Sequence, residues 1–573
     1  MLRVVPILFG AAFTVLTCLA AGLLLLRQLR LSFDRAEELL FGFLTGAACV
    51  STAVFFLCVV HQARTGVFVA AGVALMTAAL WCRIPPGAAR KLLPTSKWIY
   101  FLLLGSIFLL YFFIALAPEV SPDGSGYHLG NVIRTYEQHG FAWDFQSLYA
   151  WFPQGLEMLF LVAYSLGGMP AAAMIHLAFL CALAGLLVCY GRRFGVPRAG
   201  LFAAVLVFAS PVVGLVGASA YNDIALATCI YAVFYLTEVM QEESNAKLLS
   251  LLGLLAGFCY SIKYTGWIAM PYAAIALRRR RMMPFVSSAA AVALPWAIRN
   301  WIWVGNPFAP LLTKWFPNPF YSADLEAAYL SDLRHVEGFH HWWEWPLDLT
   351  IYGAKLPGFL GPVFLLAPLA LLSLRLPQGR KLLAASVVFS LPFALNPAAR
   401  FLVPGLPFLA LAMGLAMQNS PAVLPALAAF HTVLAIPAVM PVYCADWAWR
   451  IRSMPVRVAL GLDPGDSYLQ RFIPDYWIKA AIEKYVAKSQ TIFSFDTRPD
   501  AYLDRRIVVG YESSEGSRIG EALSRGESPK RYGIDFVLVN DRDFTSEAIK
   551  DNAKSIGLTA LEQRNGTTLY RVD

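Results

Sequence analysis

"KWIYFLLLGSIFLLYFFIALAPEVSPDGSGYHLG", residues 97–130, is the stretch whose reading decides the fold. Between Lys97 and Glu119 it carries no charge, and a run of that length crosses the hydrocarbon core of a bilayer as one helix. A polar, glycine-rich segment follows directly and holds Asp123, Tyr127 and His128. The chain therefore leaves the apolar phase and at once presents ionisable groups. Such groups at a membrane boundary are costly to place, which makes them informative.

Working outward, the same pattern recurs. Residues 4–26, 38–60, 65–82, 169–190 and 421–441 are also long and apolar. Residues 199–218, 221–240, 247–262, 264–277, 282–298, 357–374, 381–395 and 399–417 are shorter or interrupted by Gly and Pro, and read as further spans. The expectation is a polytopic α-helical membrane protein of about 12–14 transmembrane helices. Composition agrees: of 573 residues 58% are hydrophobic and 14% charged, far below the charge of a soluble domain. The first run lacks a small-x-small cleavage site and reads as an anchor.

The net charge of +9 does not call for nucleic acid. Basic residues concentrate in the short loops Arg27–Arg35, Arg83–Lys97, Arg192–Arg198, Arg278–Arg281 and Arg375–Lys381, which fall on one side when spans are counted alternately. Regions 118–168, 210–221, 299–357 and everything after Pro441 then face outward. The Trp-rich segment 299–357 suits the headgroup layer. Eight of the nine cysteines lie in or at the ends of apolar runs and read as small hydrophobes. No zinc spacing is present.

Three parts follow: N-terminal helices over 1–96, a main membrane part over 97–441, and a tail over 442–573 where charge rises. In the tail, Tyr476–Ala487 has helical spacing, while Thr491–Phe495, Arg506–Val509, Asp535–Val539 and Thr567–Val572 read as strands of a small α/β domain. "DRD" at Asp541–Asp543 reads as a solvated turn, and Asn565-Gly566 as a hairpin turn rather than a glycosylation site.

Polar residues gather at the expected outer ends of the spans. Asp123 is either a helix cap or a carboxylate facing a cavity. Asn222 and Asp223 occur in "SAYNDIALA", Lys263 and Tyr264 in "SIKYTG", Arg299 and Asn300 in "IRNWIWVGNPFAP", and Arg400 in "NPAARFLVPGLP". Each basic residue alone reads as a snorkelling anchor. Together they place two carboxylates and three cations on one face, a pattern suited to an anionic headgroup beside a general base. The expectation is that they meet in one pocket.

In this order the motifs resemble the bacterial GT-C glycosyltransferases, a superfamily that includes protein O-mannosyltransferases and the lipid A aminoarabinose transferase. A frequent bacterial pattern, D-x-x-x-Y-H-L-P, is matched by Asp123, Tyr127, His128 and Leu129, with Gly130 in place of Pro. "YNDIA", "KYTG", "RN…GNP…P" and "AARFLVPGLPFLAL" are similar to the downstream motifs, and the resemblance spans roughly 97–441. It implies a sugar donor on a polyprenyl phosphate, a lipid, glycan or protein acceptor, and no nucleic-acid partner. Asp123 would be the base, with Tyr127, His128, Asn222, Asp223, Lys263, Tyr264, Arg299, Asn300 and Arg400 binding substrate. His128 is equally open to a structural role. No metal is assigned; Mg or Mn is compatible, although Gly124 stands where many relatives carry a second acid. The implied location is the bacterial inner membrane, with active site and tail extracytoplasmic. The rival readings are a transporter or flippase of a lipid-linked or anionic substrate, for which no two-fold repeat is evident, and a non-catalytic cell-envelope assembly protein.

Overall fold

The computed structural model describes residues 4–82, 97–142, 147–242, 245–277, 282–542 and 546–573. The basic loops 83–96 and 278–281 and Asp543 lie outside these. In chain order the helices are α1 Val4–Gln28, α2 Arg35–Val59, α3 Thr65–Trp81, α4 Lys97–Leu116, α5 Leu129–Glu137, α6 Gly155–Gly167, α7 Met169–Arg193, α8 Pro197–Phe208, α9 Pro211–Gly217, α10 Asp223–Glu242, α11 Ala246–Ile262, α12 Ala269–Ala276 and α13 Met283–Val304, with shorter ones beyond. The chain divides into two compact units. The first is Met1–Ala117, Pro153–Ala293 and Leu333–Leu462; the second is Pro118–Phe152, Leu294–Asp332 and Asp463–Asp573.

The first unit is the membrane part. Among the described residues, α1, α2, α4, α7 and α10 are long and apolar enough to cross a bilayer. The stretch 199–218, expected as one span, is instead two helices, α8 and α9, bent by 68°. The bend falls at Ser210-Pro211, where the Ser210 hydroxyl donates to the Leu360 carbonyl and the Val212 amide to that of Phe359. Proline removes a helical donor at this point, and the side chain and a neighbouring segment supply the missing bonds. Several other expected spans are helices of sub-bilayer length: 247–262 is the 17-residue α11, 399–417 holds the 11-residue helix Leu406–Ala416, and 421–441 holds the 12-residue helix Val423–Leu434.

The N-terminal helices are built into this unit by small residues. A Cβ at Gly22 would stand 1.7 Å from the Gly42 carbonyl oxygen, and one at Gly46 1.6 Å from that of Cys18, so α1 and α2 touch backbone to backbone. A Cβ at Gly10 of α1 would likewise crowd the Ala163 carbonyl oxygen of α6, at 2.7 Å. A polar tie completes the seam. Glu37, fully buried in the capping box that Asp34 forms at the start of α2, accepts from Arg193 of α7 at 2.9 Å and from the Tyr235 hydroxyl of α10. Leaving that carboxylate buried without its partners would cost several kcal/mol, roughly 3–5. The apolar stretch 156–166, expected within an outer loop, is α6, a core helix buried from Gly155 to Ala163.

The second unit is assembled from three separated segments around one five-stranded sheet of order β2-β1-β3-β5-β4. The strands are β1 Thr491–Ser494, β2 Arg506–Val509, β3 Phe536–Asn540, β4 Leu558–Arg564 and β5 Thr567–Val572. β1 runs parallel to β2 and β3; β5 is antiparallel to β3 and β4. Side chains alternate between two cores, Phe493, Val537 and Val539 on one face and Ile492, Phe536 and Leu538 on the other. Sheets buried on both faces read as apolar runs, which is why four strands were legible. β4, with exposed Thr559, Ala560, Gln563 and Arg564, was not. Asn565 and Gly566 both have positive φ, 52° and 77°, and form the two-residue turn between β4 and β5.

Candidate active site

Each unit holds a cluster of the residues singled out in the sequence. In the second unit Asp123 precedes a wide five-residue helical turn, Gly124–His128, that runs into α5 and breaks helical geometry at Gly126 (ψ −110°). Wide turns of this kind are frequent at functional sites. Asp123 makes no side-chain cap bond. Its Oδ2 instead accepts from the Tyr127 hydroxyl at 3.3 Å. Tyr127 lies flat on Tyr149, ring centroids 4.1 Å apart at 6°, and 4.2 Å from the ring of buried His128. Tyr149 comes from the turn Leu148–Ala150, whose amide at Tyr149 is capped by the Ser147 hydroxyl.

Both departures from the expected motif acquire physical reasons. A Cβ at Gly130 would stand 2.7 Å from Asp500 Oδ2, the carboxylate that pairs with Arg134 of α5. A side chain at Gly124 would meet Ser121 Oγ at 2.5 Å and the Glu119 carboxyl carbon at 2.8 Å. Buried Glu119, accepting from the Ser121 amide at 2.8 Å, thus fills the space a second acid at that position would need.

Arg299 and Asn300 take a different part from the one expected of a phosphate-binding pair. Arg299 Nη2 donates to the carbonyls of Ala150, Trp151 and Phe152 at 3.0–3.3 Å, and its guanidinium lies 4.8–5.2 Å from the rings of Phe141, Trp296 and Trp303. Asn300 Nδ2 donates to the Trp151 and Ala309 carbonyls at 2.8 and 3.2 Å. The pair clamps the turn that carries Tyr149.

In the first unit, Asp223 begins α10 and is buried. Lys263 Nζ donates to its Oδ1 at 2.6 Å. Lys263 also lies 4.8 Å from the ring centroid of Phe401, the ring it shares with Arg400, whose guanidinium is 5.3 Å from Phe401, 5.7 Å from Tyr221 and 5.9 Å from Trp449. Asn222 Nδ2 reaches the Ile262 carbonyl at 3.2 Å and Glu157 at 3.4 Å. Asp223 Oδ2 and Asn222 Oδ1 are buried without a hydrogen-bond partner among the described residues. Tyr264 follows Lys263 and packs on Tyr260, ring centroids 5.4 Å apart.

Sequence reasoning passed over several contributors. His176 of α7 accepts from the amides of Ile224 and Ala225 at 3.0 and 3.3 Å and bonds the Ser219 carbonyl at 2.9 Å. A neutral imidazole with Nδ1 protonated satisfies both ends, so it caps α10 and fixes Asp223. His176 and Glu157, ionisable residues in apolar helices, were legible signals. Tyr149 and Glu512 were not, because their roles depend on long-range assembly. Burial pushes the Glu512 carboxyl up to about 7, with Asp500 acting in the same direction and Ser147 and Arg134 against it. Among the described residues no group of three or more His, Cys, Asp or Glu side chains forms a metal-binding set.

A family model described as Domain of unknown function (DUF8201) matches residues 5–334. No curated protein matches the chain by sequence. Among solved structures, ArnT from Cupriavidus metallidurans in the apo state aligns with a TM-score of 0.52 at 13% identity, over 83% of this chain and 98% of that one. The same protein bound to undecaprenyl phosphate aligns with a TM-score of 0.50 at 13% identity, over 84% and 99%. Likeness at that identity establishes the fold, which is the GT-C fold that the order of motifs implied.

Proposed function

We propose that this chain, which belongs to the family described as Domain of unknown function (DUF8201), is a membrane glycosyltransferase that moves a sugar from a polyprenyl-phosphate carrier to a lipid, glycan or protein hydroxyl. The observation that carries the reading is the Asp223–Lys263–Arg400 cluster, where one buried carboxylate accompanies two cations that share an aromatic ring. Such a site suits a lipid phosphate, which brings negative charge to the cations and an apolar chain to the rings. ArnT, a protein of the same fold, has been solved with undecaprenyl phosphate.

In the proposed reaction the acceptor oxygen attacks the anomeric carbon and loses its proton to Asp123. The sugar–phosphate C–O bond breaks and the polyprenyl phosphate leaves with the electron pair. The leaving group is already a good one, so no protonating acid is required, unlike ordinary glycoside hydrolysis. The hydrogen bond from Tyr127 favours the carboxylate form of Asp123 that accepts a proton. Lys263 and Arg400 balance the charge that grows on the phosphate. Arg299 and Asn300 act indirectly, through the turn 148–150. His128 supports the ring of Tyr127. The location assigned is the outer face of the bacterial inner membrane.

The test is transfer of radiolabel from undecaprenyl-phosphate-linked sugars to envelope extract, with full-length protein in nanodiscs. Asp123→Asn is expected to lose about 10²–10⁴-fold in rate. Equal transfer by wild type and this variant removes Asp123 as base. Flipping of the labelled lipid in liposomes that persists in Asp123→Ala assigns the chain to the transporter class instead.

A further inference from the structure

In open sheets with parallel strands, ligands bind beyond the carboxyl ends of the strands, where the strand order reverses. In this sheet the order reverses between β1 and β3, and the carboxyl ends of the parallel strands β1 and β2, at Ser494 and Val509, lie along that same edge. The edge is filled by the Asp123 segment of the same chain. A Cβ at Gly126 would lie 3.9 Å from the Arg498 carbonyl oxygen and from Thr497, and one at Gly130 would lie against Asp500. Tyr502 donates to the Glu119 carbonyl at 2.7 Å. The Leu148 amide donates to the Glu512 carbonyl at 3.0 Å, and the Glu512 carboxyl bonds the Ser147 hydroxyl. Tyr511, its neighbour, bonds Tyr149 and Thr497.

We propose that the tail's sheet is a positioning domain that takes its own catalytic loop as ligand, and that Glu512 is the positioning residue: it holds Ser147 and Leu148, sets Tyr149 for Tyr127 to stack on, and so aims Asp123. The inference deepens the proposed function and rests on Asp123 as base; its geometric half stands without that role. Glu512 is buried, and the groups around it come from every part of the unit. Arg134, Ser147 and Tyr149 belong to the loop, Asp500 and Tyr511 to the tail, and Tyr321 to the segment 294–332. Burial disfavours charge on this carboxyl and Asp500 opposes it more than Arg134 relieves it, so the site favours the protonated form. Ionising it sets it against Asp500 in a buried place and loosens the turn.

Hydrogen–deuterium exchange on the full chain in nanodiscs tests this, corrected for intrinsic rates and read at 121–137 and 147–152. In wild type, exchange at both segments should rise about tenfold between about pH 6 and about pH 8, while Glu512→Gln, neutral throughout and able to hold Ser147, stays protected at both. Glu512→Ala should exchange fast at either pH, and in label transfer it should lose kcat by about tenfold with KM little changed, rescued by Gln at the higher pH. Unchanged exchange in Glu512→Ala, or a wild-type rise that persists in Glu512→Gln, overturns the inference. Should Glu512→Ala fail to fold, Ser147→Ala and the pH response of Glu512→Gln decide. Asp123→Asn in the same transfer assay keeps the two ideas apart: its retained activity sinks the proposed function, and leaves the exchange result to judge the clamp.

Discussion

Arg299 and Arg400 began as equals, each a cation at the end of an apolar stretch, and their surroundings gave them opposite work. Arg299 sits in an aromatic box with its donors directed at three backbone carbonyls. Arg400 lies over Tyr221, Phe401 and Trp449, on the ring that also receives Lys263. Carbonyls of a tight turn are permanent partners, because no ligand can exchange with them. Arg400 packs on aromatic rings beside Lys263, where the proposed function puts the lipid phosphate. What separates the two cations is the kind of neighbour around each, backbone carbonyls for one and rings for the other.

The difference can be broken by experiment, and the largest effect belongs to the clamp. Arg299→Ala leaves the 150–152 carbonyls and a cavity among Phe141, Trp296 and Trp303, and should destabilise the second unit by roughly 3–5 kcal/mol. Thermal unfolding checks this, and Arg299→Lys should not restore it, since an ammonium lacks both the Nε that bonds Asn300 Oδ1 and the planar face that packs among three rings. The rule extends to acids. Asp223 pairs with a cation, whereas Glu512 is buried beside Asp500, which outweighs Arg134. With its carboxyl raised from the usual 4.5 to about 7, folded protein keeps a proton that the unfolded chain loses across that interval. Stability from this group is therefore greatest at the acid end and declines as pH rises to about 7, by up to about 3 kcal/mol. Melting curves of wild type should show the decline, and Glu512→Gln should flatten it.

Smaller still is the effect expected of Arg400→Ala: about 10–100-fold weaker binding of undecaprenyl phosphate, by scintillation proximity, with the melting temperature unmoved. An equal loss of stability in Arg299 and Arg400 variants would erase the contrast. Last comes Tyr127→Phe, which removes one hydrogen bond from Asp123 while keeping the stack on Tyr149. A loss of roughly 1 kcal/mol in the barrier to transfer is expected, seen as a several-fold lower kcat.

Sequence patterning carried much of this. Uncharged runs located the membrane helices, alternating and apolar runs located four strands, and Asn565-Gly566 marked its turn. The Asp123 motif marked the loop. What escaped is of one physical kind. Whether α6 is core or loop depends on α1 and α2 covering it, and the Arg299 clamp depends on carbonyls some 150 positions away in the chain. The reason for Gly130 lies in Asp500. Periodicity reports which face a residue turns inward, and is silent on which distant segment meets it. The bend at Ser210-Pro211 was half legible: proline announces an interruption, but its angle belongs to the Leu360 and Phe359 carbonyls that receive the freed donors.

The three-segment construction of the second unit sets an order of events during synthesis. The loop bearing Asp123 emerges from the ribosome about 370 residues ahead of the first strand of the sheet that grips it, a delay of roughly 20–75 s at ordinary elongation rates. Through that interval the Asp123 loop lacks the contacts that Thr497, Arg498, Asp500 and Tyr502 make with it in the folded unit. The order of this early loop is thus tied to the arrival of a sheet synthesised much later, so a chain cut ahead of residue 491 should leave the 118–152 segment unsupported.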